Sequence, residues 1–105
     1  MVADFEDIRN LAKEYAENVK KALPVDKVIL YGSYAKGTAT LLSDVDICFF
    51  LRDFNGKKRV DIISELLELC GRYKGAYFEP TAFPTSEIER GNPFVKEILA
   101  TGIEL

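Results

Sequence analysis

Leu30-Tyr31-Gly32-Ser33-Tyr34-Ala35-Lys36-Gly37, followed by Ser43-Asp44-Val45-Asp46-Ile47, is the stretch on which the reading of this chain turns. It opens on an apolar run, residues 28–31, read as a short buried strand. Residues 32–43 are rich in Gly, Ser, Thr and Ala, the composition of a turn with a short helical segment. Residues 45–51 form a second strand, with Ile47, Cys48, Phe49 and Phe50 apolar on both faces. Asp44 and Asp46 stand two apart at its start, so their side chains share a face while Val45 turns to the core.

Working outward, residues 4–23 carry Phe5, Ile8, Leu11, Tyr15, Val19 and Leu23 at spacings of three and four, an amphipathic helix with Asp4 as N-cap and Pro24 as terminator. Asn55-Gly56 is a turn signal. A second amphipathic helix is predicted over 57–73, with Val60, Ile63, Leu66, Leu67 and Cys70 on its apolar stripe. Residues 76–83 read as a third strand containing Glu79. Thr85-Ser86 with Glu89 predicts a capped short helix, and Pro93 opens a last helix over 93–100. Gly102 ends that helix, with a short strand expected over 103–105. The order predicts one α/β domain over 1–105: a small mixed sheet flanked by helices.

The 105 residues fit a single domain with a modest core. A net charge of -3 with interleaved signs provides no basic field for nucleic acid, so no dedicated nucleic-acid binding is expected. The two cysteines, Cys48 and Cys70, sit in apolar runs and read as buried thiols rather than a disulfide framework. With no signal-peptide pattern and no apolar run long enough for a bilayer, the expectation is a cytoplasmic protein with no membrane association. The absence of histidine removes histidine bases, triads and His-containing zinc sites together. Catalysis would rest on carboxylates, hydroxyls, basic side chains and bound ions.

Two aspartates on one face repel each other, and a divalent cation reverses that balance. Hard oxygen ligands suit Mg²⁺ or Mn²⁺, which take remaining ligands from water and substrate phosphates. Gly32 allows close backbone approach to a phosphate, the following turn of helix offers amide donors, and the Ser33 hydroxyl adds another. Lys36 supplies positive charge for the far phosphates of a nucleoside triphosphate. Taken singly, Gly-Ser is a turn, Asp-x-Asp a solvated pair and Lys36 an ordinary surface cation. In this order and spacing they make a triphosphate cradle followed by metal ligands, the two needs of phosphoryl and nucleotidyl transfer.

These two motifs resemble the signature of the DNA polymerase β-like nucleotidyltransferase superfamily, and more closely that of the minimal nucleotidyltransferases, the MNT proteins. The resemblance covers essentially the whole chain. It implies a palm-like nucleotidyltransferase fold. It further implies Mg²⁺-dependent transfer of a nucleoside monophosphate, with ATP as donor, to an acceptor hydroxyl with release of pyrophosphate. Asp44 and Asp46 would bind the metals of a two-metal site, and Gly32 and Ser33 would hold the triphosphate. Lys36 stands where the family usually has Arg, which keeps the charge but not the bidentate fork. The family's third carboxylate comes from a neighbouring strand. Glu79 is the candidate here, although the family usually has Asp, with Asp61 as the fallback; the plainer alternative is a buried Glu79 bonded to a Lys or Arg.

The resemblance also implies a partner. Without a helical domain to hold the acceptor, the acceptor surface is expected from a second copy of the chain or from another protein. In this family the usual partner is a helical HEPN-type toxin, neutralised by nucleotidylation of a tyrosine. Two alternatives stay open: an antitoxin or scaffold acting by binding alone, and a small-molecule adenylyltransferase of the antibiotic-modifying kind, for which the chain is short. Of the aromatics Tyr31, Tyr34, Phe49, Phe50, Tyr77 and Phe78, on or beside predicted strands, most read as core, while Tyr34 beside the phosphate turn is also positioned to stack on a base. The cluster Lys57-Lys58-Arg59 reads as a solvated face or a contact for an acidic partner.

Overall fold

The computed structural model describes residues 5–40, 43–71 and 77–105, and its elements follow the apolar pattern closely. Helix α1 (Phe5–Ala22) leads into β1 (Val25–Tyr31), a four-residue α2 (Ser33–Lys36), and β2 (Val45–Leu51). Then come α3 (Arg59–Cys70), β3 (Phe78–Pro84), a short α4 (Glu87–Arg90), α5 (Pro93–Thr101) and a two-residue β4 (Ile103–Glu104). The expected cap Asp4, the end of the second helix at Tyr73 and the start of the third strand at Ala76 lie outside the described residues.

The strands form one mixed sheet in the order β3-β2-β1-β4. β1 is antiparallel to β2 and to β4, while β3 runs parallel to β2 after the α3 crossover. Central β2 is buried on both faces, which is why its sequence is apolar without alternation. On one side α1 and α3 pack over Val28, Leu30, Ile47 and Phe49; on the other α5 lays Val95 and Ile98 over Ile29, Cys48 and Phe50.

Four sequence expectations shift. β1 begins at Val25, since Val25 pairs with Leu51 across an irregularity before Lys27; the polar Asp26 and Lys27 hid that extension. The buried stripe of α3 is Ile62 and Leu66, while Val60 and Leu67 are 63% and 49% exposed. Apolar residues ring this helix, so periodicity alone left its rotation open, and packing against α1 and β3 decides it. Cys70, expected to be buried, is only half-buried, whereas Cys48 is fully buried; both are free thiols. α4 forms without a side-chain cap from Ser86, but Asn92 caps α5 as a side-chain acceptor for the amides of Phe94 (2.9 Å) and Val95 (3.4 Å).

Tyr15 ties the two helices of the first face together. It is fully buried, packs edge-on against Phe49 at 5.4 Å, and donates its hydroxyl to the Leu66 carbonyl at 2.6 Å. Tyr15→Phe is expected to cost about 1 kcal/mol and lower the melting temperature by about 4–8 °C. An unchanged melting curve would show that the hydrogen bond contributes nothing net.

Candidate active site

The site lies where three strand ends meet: the end of β1 and the starts of β2 and β3. Sheet register does the assembling. Asp46 stands opposite Tyr31 of β1 and opposite Glu79 of β3, with Ile47 beside Leu30 and Pro80. Alternation along each strand then puts Tyr31, Asp46 and Glu79 on the same face as Ile29, Cys48 and Phe83. At this end of the sheet Glu79 is exposed and Asp46 partly so.

The carboxylates sense one another. Burial first, then the charge of Glu79 and the hydrogen bond it shares with Asp46, then the charge of Asp44, push the Asp46 carboxyl from its ordinary 3.8 up to about 6. That hydrogen bond acts with burial and like charge to favour the protonated form of Asp46. Burial and then Asp46 also push the Tyr31 phenol up to about 12, so it stays neutral at ordinary pH. Burial raises the Cys48 thiol to about 12, with Arg59 opposing, which makes it an inert apolar group.

Gly32 closes the site from the β1 side. Its backbone, at φ 73° and ψ −149°, is in a region that is essentially glycine-only. A Cβ on Gly32 would run into the Asp46 carboxylate, so the turn and the carboxylate are in direct van der Waals contact. Ser33 follows at the start of α2, a single turn in which Gly32 O accepts from the amides of Ala35 and Lys36, both at 3.1 Å. Lys36 is exposed and stands 3.9 Å from Glu97 of α5. A cavity of about 180 Å³ opens here, lined by Tyr31, Gly32, Lys36, Phe94, Glu97 and Thr101 among others.

Sequence reasoning therefore located a set that the fold does bring together: Gly32 against Asp46, Asp44 and Glu79 beside it, and Ser33 one residue on. Lys36 sits at the adjacent cavity rather than among the carboxylates. Glu79 is exposed rather than buried, and among the described residues the group it acts on is Asp46 rather than a Lys or Arg. Asp61 is elsewhere, accepting from the Lys58 amide at 3.0 Å as a cap of α3. Tyr34 is 8% exposed and part of the core, so it is not available as a stacking platform. Among the described residues no three or more Cys, Asp or Glu side chains are grouped closely enough to hold a metal ion as they stand. The donor chemistry nevertheless fits a hard divalent cation: carboxylates whose mutual repulsion a cation would relieve, on the open end of a sheet.

Two residues escaped the sequence reading. Tyr31 looked like one more apolar strand residue; only the register shows that it faces Asp46. Arg59 looked like the end of a solvated basic cluster. Instead its Nε donates to the Ala82 carbonyl at 2.7 Å and its Nη2 to Thr81 Oγ1 at 2.6 Å, with the guanidinium 4.3 Å from the centre of the Phe83 ring. It thus clips the start of α3 to the strand that carries Glu79. No local signal announces a contact spanning more than twenty positions.

Residues 8–102 match a family model described as a nucleotidyltransferase domain. Among solved structures, the chain is similar to a Sulfolobus solfataricus protein assigned as a nucleotidyltransferase, with a TM-score of 0.63 and 23% identity over 82% of this chain and 75% of that one. At that identity the likeness speaks for the fold alone. No curated protein sequence shows a significant match.

Proposed function

The chain belongs to the nucleotidyltransferase domain family, and on that premise we propose that it is a divalent-metal-dependent enzyme transferring AMP from ATP to a hydroxyl of a partner protein. The observation that carries this reading is the Asp46–Glu79 pair held in register beside Asp44, with Gly32 packed against it. Asp44, Asp46 and Glu79 would hold Mg²⁺ or Mn²⁺. A cation of this kind supplies charge neutralisation on the transferring phosphate and favours ionisation of the acceptor hydroxyl.

The chain's own residues supply positioning. Gly32 lets the triphosphate lie close to the backbone, and Ser33 donates a hydroxyl hydrogen bond to it. Lys36 is free to choose between Glu97 and a phosphate, since an exposed pair at 3.9 Å is worth little. Glu79 stands on the outer strand, where an acceptor hydroxyl approaching Asp46 would deliver its proton. No described helix is long and apolar enough to cross a membrane.

The finer reading, an antitoxin that nucleotidylates a HEPN-type helical toxin, is supported by the resemblance of the two motifs to MNT proteins. The test is incubation of the pure protein with Mg²⁺, α-labelled ATP and the protein encoded beside it. Label on that partner, absent with Asp44→Ala/Asp46→Ala, is the expected result. No label, together with intact neutralisation by the double variant, would instead mean action by binding alone. Lys36→Ala is expected to raise KM for the triphosphate about 3- to 10-fold with a smaller effect on kcat, and Lys36→Arg to restore it. An unchanged KM would remove Lys36 from the site.

A further inference from the structure

The three strand ends give the site a direction. The elements proposed to hold the triphosphate, Gly32 and Ser33, lie on the β1 side of β2, and β3 lies on the other side as the outer strand of the sheet. An acceptor hydroxyl therefore meets the carboxylates from the β3 side. The chain has a hydroxyl of its own there. The Val45 amide, between Asp44 and Asp46, donates to the Tyr77 carbonyl at 2.7 Å, the first bond of the parallel β2–β3 ladder. Asp44 and Tyr77 each directly precede the first paired residues, Val45 and Phe78, so both stand at the same end of the ladder. Tyr77 and Glu79, two apart, share a face.

Tyr77 is also set apart by exposure. At 66% it is the most exposed large apolar side chain among the described residues. The other described tyrosines are committed: Tyr15 and Tyr34 are buried, and Tyr31 is half-buried against Asp46. Tyr77 is thus the described tyrosine whose hydroxyl is open to solvent and whose backbone is fastened directly to the carboxylate strand.

We propose that Tyr77 is a self-modification site, its hydroxyl accepting the nucleoside monophosphate from the triphosphate held at Gly32 and Ser33 beside Asp44 and Asp46 when no partner occupies the β3 side. The proposal rests on the transferase reading above. In the step, the Tyr77 oxygen attacks the α-phosphorus and a new P–O bond forms. The P–O bond between the α-phosphorus and the bridging oxygen breaks, pyrophosphate leaves, and the phenol proton passes to the Glu79 carboxylate. The product carries a nucleotide over the acceptor side of its own site, so the reaction stops after one addition per chain.

The test is incubation of the pure protein with Mg²⁺ and ATP, read by intact-mass and peptide mass spectrometry alongside thermal-shift measurement. The expected result is a gain of one AMP per chain on the peptide containing Tyr77, at a per-molecule rate unaffected by dilution. Tyr77→Phe should lose that gain while keeping the wild-type stabilisation by Mg²⁺-ATP, which reports an intact fold and donor site. Asp44→Ala/Asp46→Ala should lose both. Stabilisation by Mg²⁺-ATP without any mass gain, or with the gain on another residue, overturns the assignment to Tyr77 and leaves the transferase reading standing. A rate that rises with protein concentration overturns the intramolecular step. Neither stabilisation nor modification would overturn both.

Discussion

Asp46→Asn is expected to cut nucleotidyl transfer by about two to three orders of magnitude and, in the same protein, to stabilise the metal-free fold at neutral pH. The two effects have one cause. Asp46 is held between Glu79 and Asp44 on a partly buried strand end, an arrangement that favours a cation and disfavours bare carboxylate charge. Asparagine keeps the shape and removes the charge. The fold loses a repulsion and, on the proposed function, the site loses a metal ligand.

The pH dependence separates this from a generic mutational effect. The Asp46 carboxyl sits at about 6 in the folded protein against an ordinary 3.8. Between those values the folded chain retains a proton that the unfolded chain has released. The Asp46 contribution to stability is therefore fully present below about pH 4, falls as pH rises to about 6, and stays low above it. A shift of this size is about 3 kcal/mol unscreened, but Asp46 is partly exposed, and solvent screening reduces the expectation to about 1 kcal/mol. Melted in chelator at pH 7, Asp46→Asn should exceed wild type by about 4–8 °C. At pH 4 the difference should vanish. Added Mg²⁺ should raise the wild type and leave the variant unmoved. A variant no more stable than wild type at pH 7, or equally favoured at pH 4, would show that the carboxylates do not compete.

Why Asp44 and Asp46 were readable in the sequence and Arg59 was not is a matter of range. A strand's two-residue alternation sets the relative facing of Asp44, Val45 and Asp46 without reference to any other part of the chain. Gly32-Ser33 similarly marks its own turn, because a positive φ at Gly32 is a local demand. Glu79 needed one further step, that its strand lie next to Asp46 in matching register. The sequence supports the strand, and the parallel crossover through α3 supplies the neighbour. Arg59, Tyr31 and the buried face of α3 depend on how whole elements are rotated and stacked. Residues 60–70 are apolar in nearly every direction, so the helix can be drawn with several buried faces. The one realised is selected by α1 and β3, which lie far away in sequence. Lys36 falls between these cases: its charge was legible, but its position beside Glu97 is set by the docking of α5.

Gly32→Ala should damage both the fold and the site, and a comparison with Gly37 isolates the reason. Both glycines have positive φ, 73° and 76°. A Cβ on Gly37 would meet nothing within 4 Å, so Gly37→Ala carries backbone strain alone, about 1 kcal/mol. At Gly32 the strain is compounded twice. The ψ of −149° takes the residue out of the left-handed helical region that alanine tolerates, and the new methyl would overlap the Asp46 carboxylate. The expected cost is about 2–4 kcal/mol, with transfer activity lost because either the turn or Asp46 must move. Coupling to Asp46 makes a further demand. In an Asp46→Ala background the methyl has room, so the overlap disappears and only the backbone cost remains. The double-mutant cycle should therefore be strongly non-additive, by about 1–2 kcal/mol, with Gly32→Ala costing less once Asp46 has been truncated. Additive stabilities across the cycle would mean that the turn and the carboxylate do not touch in solution. The triphosphate cradle and the metal ligands would then be two separate features rather than one site.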